Sequence, residues 1–95
     1  MKIDIFYSPN FNKEKKRLKK AIKIIVYHYT GMQSERESLI RLSNPHSKVS
    51  AHYLINRNGK IYRLIQDDQI AWHAGISCWG KYNNLNKNSL GIELV

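Results

Sequence analysis

In a chain of 95 residues, the side chains able to bind a metal, move a proton or attack a carbonyl are few: His28, His46, His52, His73, the single Cys78 and seven acids. Glu93 stands apart from the other acids because it lies in an apolar run, "NSLGIELV". A carboxylate on a buried strand is costly unless it is paired, bound to a metal or able to take a proton. Strand alternation puts Glu93 on one face with Gly91 and Val95, opposite Leu90, Ile92 and Leu94. The missing side chain at Gly91 leaves room beside Glu93, which favours a cleft wall. The simpler alternative is a surface acid on an edge strand. His28 closes the run "IKIIVYH" and falls at the C-terminal end of a strand, where α/β proteins commonly hold ligands. On spacing alone, a hydrogen-bonded core histidine beside Tyr27 and Tyr29 is the favoured reading. The same two readings apply to His52 and His73, whereas His46 follows a proline and reads as exposed. There is no HExxH and no CxxC, and the gap from His73 to Cys78 matches no established zinc spacing. The residues alone therefore reach a small α/β domain with a candidate His/Glu site.

Several elements must position these groups. "IKIIVYHYT" is β-branched and aromatic and reads as a buried strand. After "GMQ", Ser34 followed three places later by Glu37 forms a capping box for a short helix whose apolar face is Leu39, Ile40 and Leu42. Asn44-Pro45 ends it. "SAHYLINRNGKIYRLI" predicts a hairpin with a type I′ turn at Asn58-Gly59. That two-residue loop would group Tyr53 and Ile55 with Tyr62 and Leu64, and His52 and Leu54 with Ile61, Arg63 and Ile65. "LGIELV" is the last strand. One helix among these strands predicts a mixed sheet with helical cover.

Length allows one domain with a single core, and the apolar fraction of 42% places the chain among globular proteins. The formal charge of +9 is uneven: residues 1–23 hold eight Lys/Arg against Asp4 and Glu14, and residues 24–95 hold eight against five acids. "KEKKRLKKAIK" would attract nucleic acid or anionic lipid by counterion release. The preferred reading is a solvated, lysine-rich arm, since no aromatic residue is interleaved as a single-strand binding surface requires; no nucleic acid is expected as a partner. A lone cysteine forms no intrachain disulfide and points to a reducing compartment. The longest apolar run, around Ile24 to Val26, is too short to span a bilayer, and no apolar leader follows the first lysine. A soluble, cytoplasmic protein is expected.

"IVYHYTG", "KVSAHYLINRNGKIYRLI", "AWHAGISCWG" and "LNKNSLGIELV", in this order and spacing, resemble the type 2 N-acetylmuramoyl-L-alanine amidases, the AmpD-like family related to peptidoglycan recognition proteins. The resemblance covers roughly residues 24–95, and "SPNFN" is similar to the opening of some bacterial members. It implies an α/β fold with a mixed sheet flanked by helices and a zinc ion in a groove at one side. The implied reaction hydrolyses the amide between the lactyl group of N-acetylmuramic acid and L-alanine. A zinc ion with an open position acidifies its water and polarises the carbonyl, while a carboxylate carries the proton to the leaving amine. By resemblance, His28 matches the first zinc ligand and Glu93 the catalytic glutamate. Tyr53, Trp72, His73 and Trp79 fall where the family has an aromatic groove wall, with Trp72, His73 and Trp79 as substrate-binding candidates; packing is the alternative role for Tyr53 and Trp72. His52, His73 and Cys78 are not ligands in the family.

The family's remaining zinc ligands lie in a segment after this strand. Residues 24–95 are thus expected to form the N-terminal portion of an amidase domain lacking its C-terminal part, preceded by a basic segment at 1–23. The implied partners are peptidoglycan or a muropeptide, with a separate C-terminal fragment or self-association completing the fold. A non-catalytic muropeptide-binding remnant is the alternative.

Overall fold

The computed structural model describes residues 2–75 and 77–95, with Cys78 described in its backbone only. Among the described residues, nine strands and one α-helix follow one another: β1 (Ile3–Ile5), β2 (Phe11–Lys16), β3 (Ile24–Tyr29), α1 (Glu35–Ser43), β4 (Tyr53–Ile55), β5 (Ile61–Arg63), β6 (Gln69–Ala71), β7 (Cys78–Trp79), β8 (Tyr82–Asn83) and β9 (Ser89–Leu94). The main sheet has the order β1-β5-β4-β9-β3, with β9 parallel to both β3 and β4 and β4 antiparallel to β5. β2 pairs with β6 and β7 with β8 in two small ribbons. The mixed sheet expected from the sequence is present, and β9, the strand that carries Glu93, lies inside it. No helix of the described residues is long and apolar enough to cross a membrane.

α1 begins where the capping box put it: the Ser34 side chain accepts from the Glu37 N–H at 3.1 Å. Leu39 and Leu42 face inward and join Leu54, Tyr62, Leu64, Ile65 and Ala71 in the core. Ile40, expected on the same face, is exposed instead. Nine residues make two and a half turns, so the buried stripe stays narrow and Ile40 falls beside it.

The hairpin forms with a different turn, and its register moves by one residue. Asn56 donates to the Lys60 carbonyl at 2.8 Å and accepts from the Gly59 N–H at 2.9 Å, which closes a three-residue loop. Only Gly59 has positive φ, at 87°, whereas a type I′ turn needs it at Asn58 as well. Tyr53 therefore opposes Arg63, Leu54 opposes Tyr62 and Ile55 opposes Ile61. Tyr62 joins Leu54 on the core face, and Tyr53 and Ile55 turn to the other face with Ile61 and Arg63. A slip of one residue exchanges the two faces of a strand, which is why the turn type decides where the aromatic rings go.

β3, expected as a buried strand, is the sheet's edge and only one of its faces is covered. His28, Val26 and Ile24 are half-buried, whereas Ile25, Tyr27 and Tyr29 are 53%, 62% and 84% exposed. By register, this open face continues through Ile92 and Leu94 to Tyr53 and Ile55 and on to Ile3 and Ile5.

The basic N-terminal stretch is more than a solvated arm. Its lysines between Lys13 and Lys20 are exposed, but Ile3–Ile5 adds a parallel strand beside β5, and Arg17 is buried. The Arg17 guanidinium donates to the carbonyls of Asp67, Asn86, Lys87 and Ser89 at 2.6–3.2 Å. Hydrogen bonds lower the cost of a buried cation, and here the four carbonyls meet the donors on Nε and Nη1.

Two outcomes follow. Leu54→Ala, which empties a fully buried site between α1 and the sheet, lowers stability by about 2–5 kcal/mol in urea denaturation. A contiguous apolar face with an unpaired edge promotes association, so sedimentation velocity shows concentration-dependent oligomers that Ile25→Lys with Tyr27→Glu shifts toward monomer; a wild-type chain that stays monomeric at high concentration contradicts this.

Candidate active site

His28 and Glu93 come from adjacent parallel strands and are direct register partners, so their side chains leave the sheet on the same face. That is the face α1 covers. Beyond the ends of β3 and β9, a pocket of about 140 Å³ opens between sheet and helix, lined by Thr30, Ser38, Arg41, His73 and Glu93 among others. Glu93 is half-buried, and its Oε2 has no hydrogen-bond partner. Burial pushes the Glu93 carboxyl above the usual range, and the positive Arg41 opposes the shift. A buried carboxylate oxygen with nothing bound, facing a cavity, is a group held ready for a proton or a ligand.

The space that Gly91 offers is occupied. The His73 ring lies against it so closely that a Cβ at position 91 would stand 2.4 Å from His73 Cγ. Both nitrogens of this ring are committed: Nε2 lies 2.9 Å from Ser89 Oγ, and Nδ1 lies 3.1 Å from His28 Nε2. The His73 backbone is fixed as well, because Asn86 Oδ1 accepts from the N–H groups of His73 and Ala74. Burial, reinforced by His28, His52 and Arg17, holds the His73 pKa down at about 3, so the ring is neutral. Burial also lowers the His28 pKa.

His52 is wholly buried in a neighbouring position. Its Nδ1 accepts from the Gly91 N–H at 3.1 Å and its Nε2 donates to the Gln69 carbonyl at 2.8 Å, with Arg17 Nη2 packed 3.1 Å from the same nitrogen. Burial is the main cause that drops its pKa to about 4. This histidine is a core ligand of the backbone, the simpler of its two sequence readings.

Of the residues singled out by sequence, the structure brings His28, His73 and Glu93 together. Trp72 and Trp79 are 36% and 70% exposed and do not line the pocket, and Trp79 sits on the β7/β8 ribbon. Tyr53 lies on the open face, where its hydroxyl donates to Asp67 at 2.6 Å and accepts from Arg63. His46 is exposed, and the Cys78 side chain lies outside the described residues. Sequence reasoning passed over Arg41, Ser38 and Thr30, which line the pocket, Ser89, which bonds His73, and Arg17, which holds the carbonyls of Asn86 and Ser89. Only Arg41 had a signal: it precedes the buried Leu42 by one place, at the edge of the helix's inward stripe.

A zinc ion would need three or more protein donors. Among the described residues, no three His, Cys, Asp or Glu side chains converge as a metal site. His28 and Glu93 by themselves do not complete one, and the chemistry open to the pair alone is proton transfer and hydrogen bonding.

The mixed sheet thus sets a histidine and an orphaned glutamate side by side on adjacent parallel strands. The sequence profile of the N-acetylmuramoyl-L-alanine amidases matches residues 18–95, and the chain belongs to that family. It is 42% identical over 80 residues to the N-acetylmuramoyl-L-alanine amidase AmiD of Escherichia coli, covering 77% of this chain and 28% of AmiD. It is 47% identical over 49 residues to the 1,6-anhydro-N-acetylmuramyl-L-alanine amidase AmpD of Citrobacter freundii, covering 52% of this chain and 26% of that protein. The chain thus spans little more than a quarter of the curated relatives it matches. Among solved structures, E. coli AmiD in complex with anhydro-N-acetylmuramic acid-L-Ala-D-gamma-Glu-L-Lys superposes with a TM-score of 0.68 at 41% identity, over 78% of this chain and 30% of that one. A crystal structure of AmpD superposes with a TM-score of 0.75 at 25% identity, over 97% and 60%.

Gly91→Ala drives a methyl into the His73 ring and lowers stability by about 1–3 kcal/mol, read as a drop in the urea midpoint. The His52 pKa falls from about 6.5 unfolded to about 4 folded, so the folded state binds fewer protons between those values. Its contribution is complete above about pH 6.5 and is lost as pH falls toward 4, at up to ~1.4 kcal/mol per pH unit. His73 has the same sign, and Glu93, with a raised pKa, has the opposite one. Urea midpoints taken from pH 7 to pH 4 therefore decline; a flat profile contradicts the burial of neutral imidazoles.

Proposed function

We propose that the chain forms the His28 and Glu93 wall of a muropeptide-binding groove and serves the hydrolysis of the amide between N-acetylmuramic acid and L-alanine. The observation that carries this is the parallel pairing of His28 with Glu93 beside a pocket in which Glu93 Oε2 has no partner. Family membership and the likeness to AmiD and AmpD support the substrate class.

Amide hydrolysis needs a group that takes a proton from the attacking water and returns it to the leaving amine. Glu93 suits that cycle because burial raises its pKa above the ordinary carboxylate range, which makes the ionised carboxylate a stronger base. Arg41, on the pocket's other wall, supplies positive charge to the carbonyl oxygen or to a carboxylate of the stem peptide. In this proposal zinc belongs to the completed site: His28 offers one donor, and the others come from outside these residues.

Incubating the protein, and any longer form of it, with an anhydro-muropeptide and following release of the free stem peptide by mass spectrometry tests this. Where cleavage is seen, Glu93→Gln reduces it by about 10²–10⁴-fold while binding persists. Saturable binding with no cleavage in any form, zinc added or not, makes the chain a muropeptide binder. Absence of both cleavage and binding removes the reading altogether.

A further inference from the structure

His73 has no free nitrogen to offer a ligand, yet the structure holds it more tightly than a packing residue needs. The proton positions along its contacts follow from donor and acceptor logic. Ser89 Oγ lies 2.6 Å from the Leu85 carbonyl, which can only accept, so the hydroxyl proton points there. Toward His73 the same oxygen must then accept, which places a proton on His73 Nε2. A neutral imidazole carries one proton, so His73 Nδ1 is a bare lone pair. Across 3.1 Å from it stands His28 Nε2, and that nitrogen must therefore be the donor. The ring centroids are 5.3 Å apart, as a single N–H···N contact at 3.1 Å between the two rings permits, with the planes twisted by 71°.

We propose that His73 is a positioning residue: through the chain Leu85 carbonyl, Ser89 hydroxyl, His73 and His28, it fixes His28 as the Nε2–H tautomer and leaves Nδ1 as its one lone pair for an incoming proton or cation. His28 Nδ1 has no hydrogen-bond partner among the described residues. Histidines that bind a ligand through one ring nitrogen are usually oriented by a hydrogen bond at the other, which sets the tautomer and the ring plane. Here an imidazole does what a carboxylate or carbonyl does elsewhere, and it does so because its own tautomer is fixed from behind. The support reaches further back: Asn86 pins the His73 backbone, and Arg17 holds the carbonyls of Asn86 and Ser89. The assignment of Nδ1 deepens the proposed function and rests on it for relevance to catalysis, whereas the tautomer itself does not.

Long-range ¹H–¹⁵N correlation spectra of the uniformly ¹⁵N-labelled protein, without substrate, read the tautomers directly. The expected result is a bare Nδ1 and a protonated Nε2 for both His28 and His73. His73→Phe keeps a flat ring against Gly91 but has no acceptor, and His28 then loses its single tautomer and shows averaged nitrogen shifts. His73→Gln, which presents a carbonyl oxygen, restores the Nε2–H form. A His28 protonated on Nδ1 in the wild type overturns the proposal, as does a His28 whose shifts are unmoved by His73→Phe in a folded variant. If His73→Phe does not fold, the wild-type spectrum and Ser89→Ala, which removes the acceptor for His73 Nε2–H and mixes both tautomers, decide alone. These spectra need no turnover, so an inactive protein with the expected tautomers sinks the amidase reading and leaves this one standing.

Discussion

The seat of the His73 ring on Gly91 is the contact on which the candidate site depends. An imidazole can lie flat against a β-strand only where that strand has no Cβ, and position 91 is the one glycine of β9. From that seat the ring reaches Ser89 on its own side and His28 one strand away, so a residue from an irregular loop becomes part of the sheet's surface. The backbone is used as closely as the side chains: the Gly91 N–H, in the middle of a parallel ladder, goes to a histidine nitrogen, while its carbonyl takes the His52 N–H. Two neutral imidazoles, His52 fully buried and His73 half-buried, thus flank a single glycine, one supporting the strand and one supporting the site.

Arg17 extends this support to a distant part of the chain. It lies in a stretch whose other cations are solvated, yet it alone is buried. Desolvation lowers its pKa, and Asp67 and Asp68 act against that lowering. Its hydrogen bonds run to carbonyls and not to a carboxylate, so what it fixes is backbone shape: the turn at Leu85–Lys87 and the start of β9. The basic segment is thereby mechanically connected to the start of β9, although 69 to 72 positions separate Arg17 from the carbonyls it holds there.

The two faces of the sheet have different fates. One is covered by α1 and carries His28, Glu93 and the core; the other carries Ile25, Tyr27 and Tyr29 into solvent. The polar groups of the site lie on the covered face beside the core, where burial shifts their protonation.

Much was readable from residue types and spacing. The strand ending at His28, the capped helix, the existence of the hairpin and the last strand follow from local pattern, which short-range sterics and hydrogen bonding enforce. The alternation of "LGIELV" already set Glu93 and Gly91 on one face, and four motifs pointed to the family. Local pattern is silent, however, about which strands become neighbours. The hairpin's register turned on whether Asn58 or only Gly59 takes positive φ, a choice made by how both faces pack. The space beside Gly91 was correctly read as vacant of its own side chain and wrongly as open, because His73 arrives from a loop eighteen positions away. Arg17 looked like one more lysine-rich-arm cation until carbonyls from two other segments closed round it. Sequence spacing settled which groups exist and how each strand presents them; long-range packing settled which groups meet, because burial, tautomer and pKa are properties of neighbours that the chain brings together only when it folds.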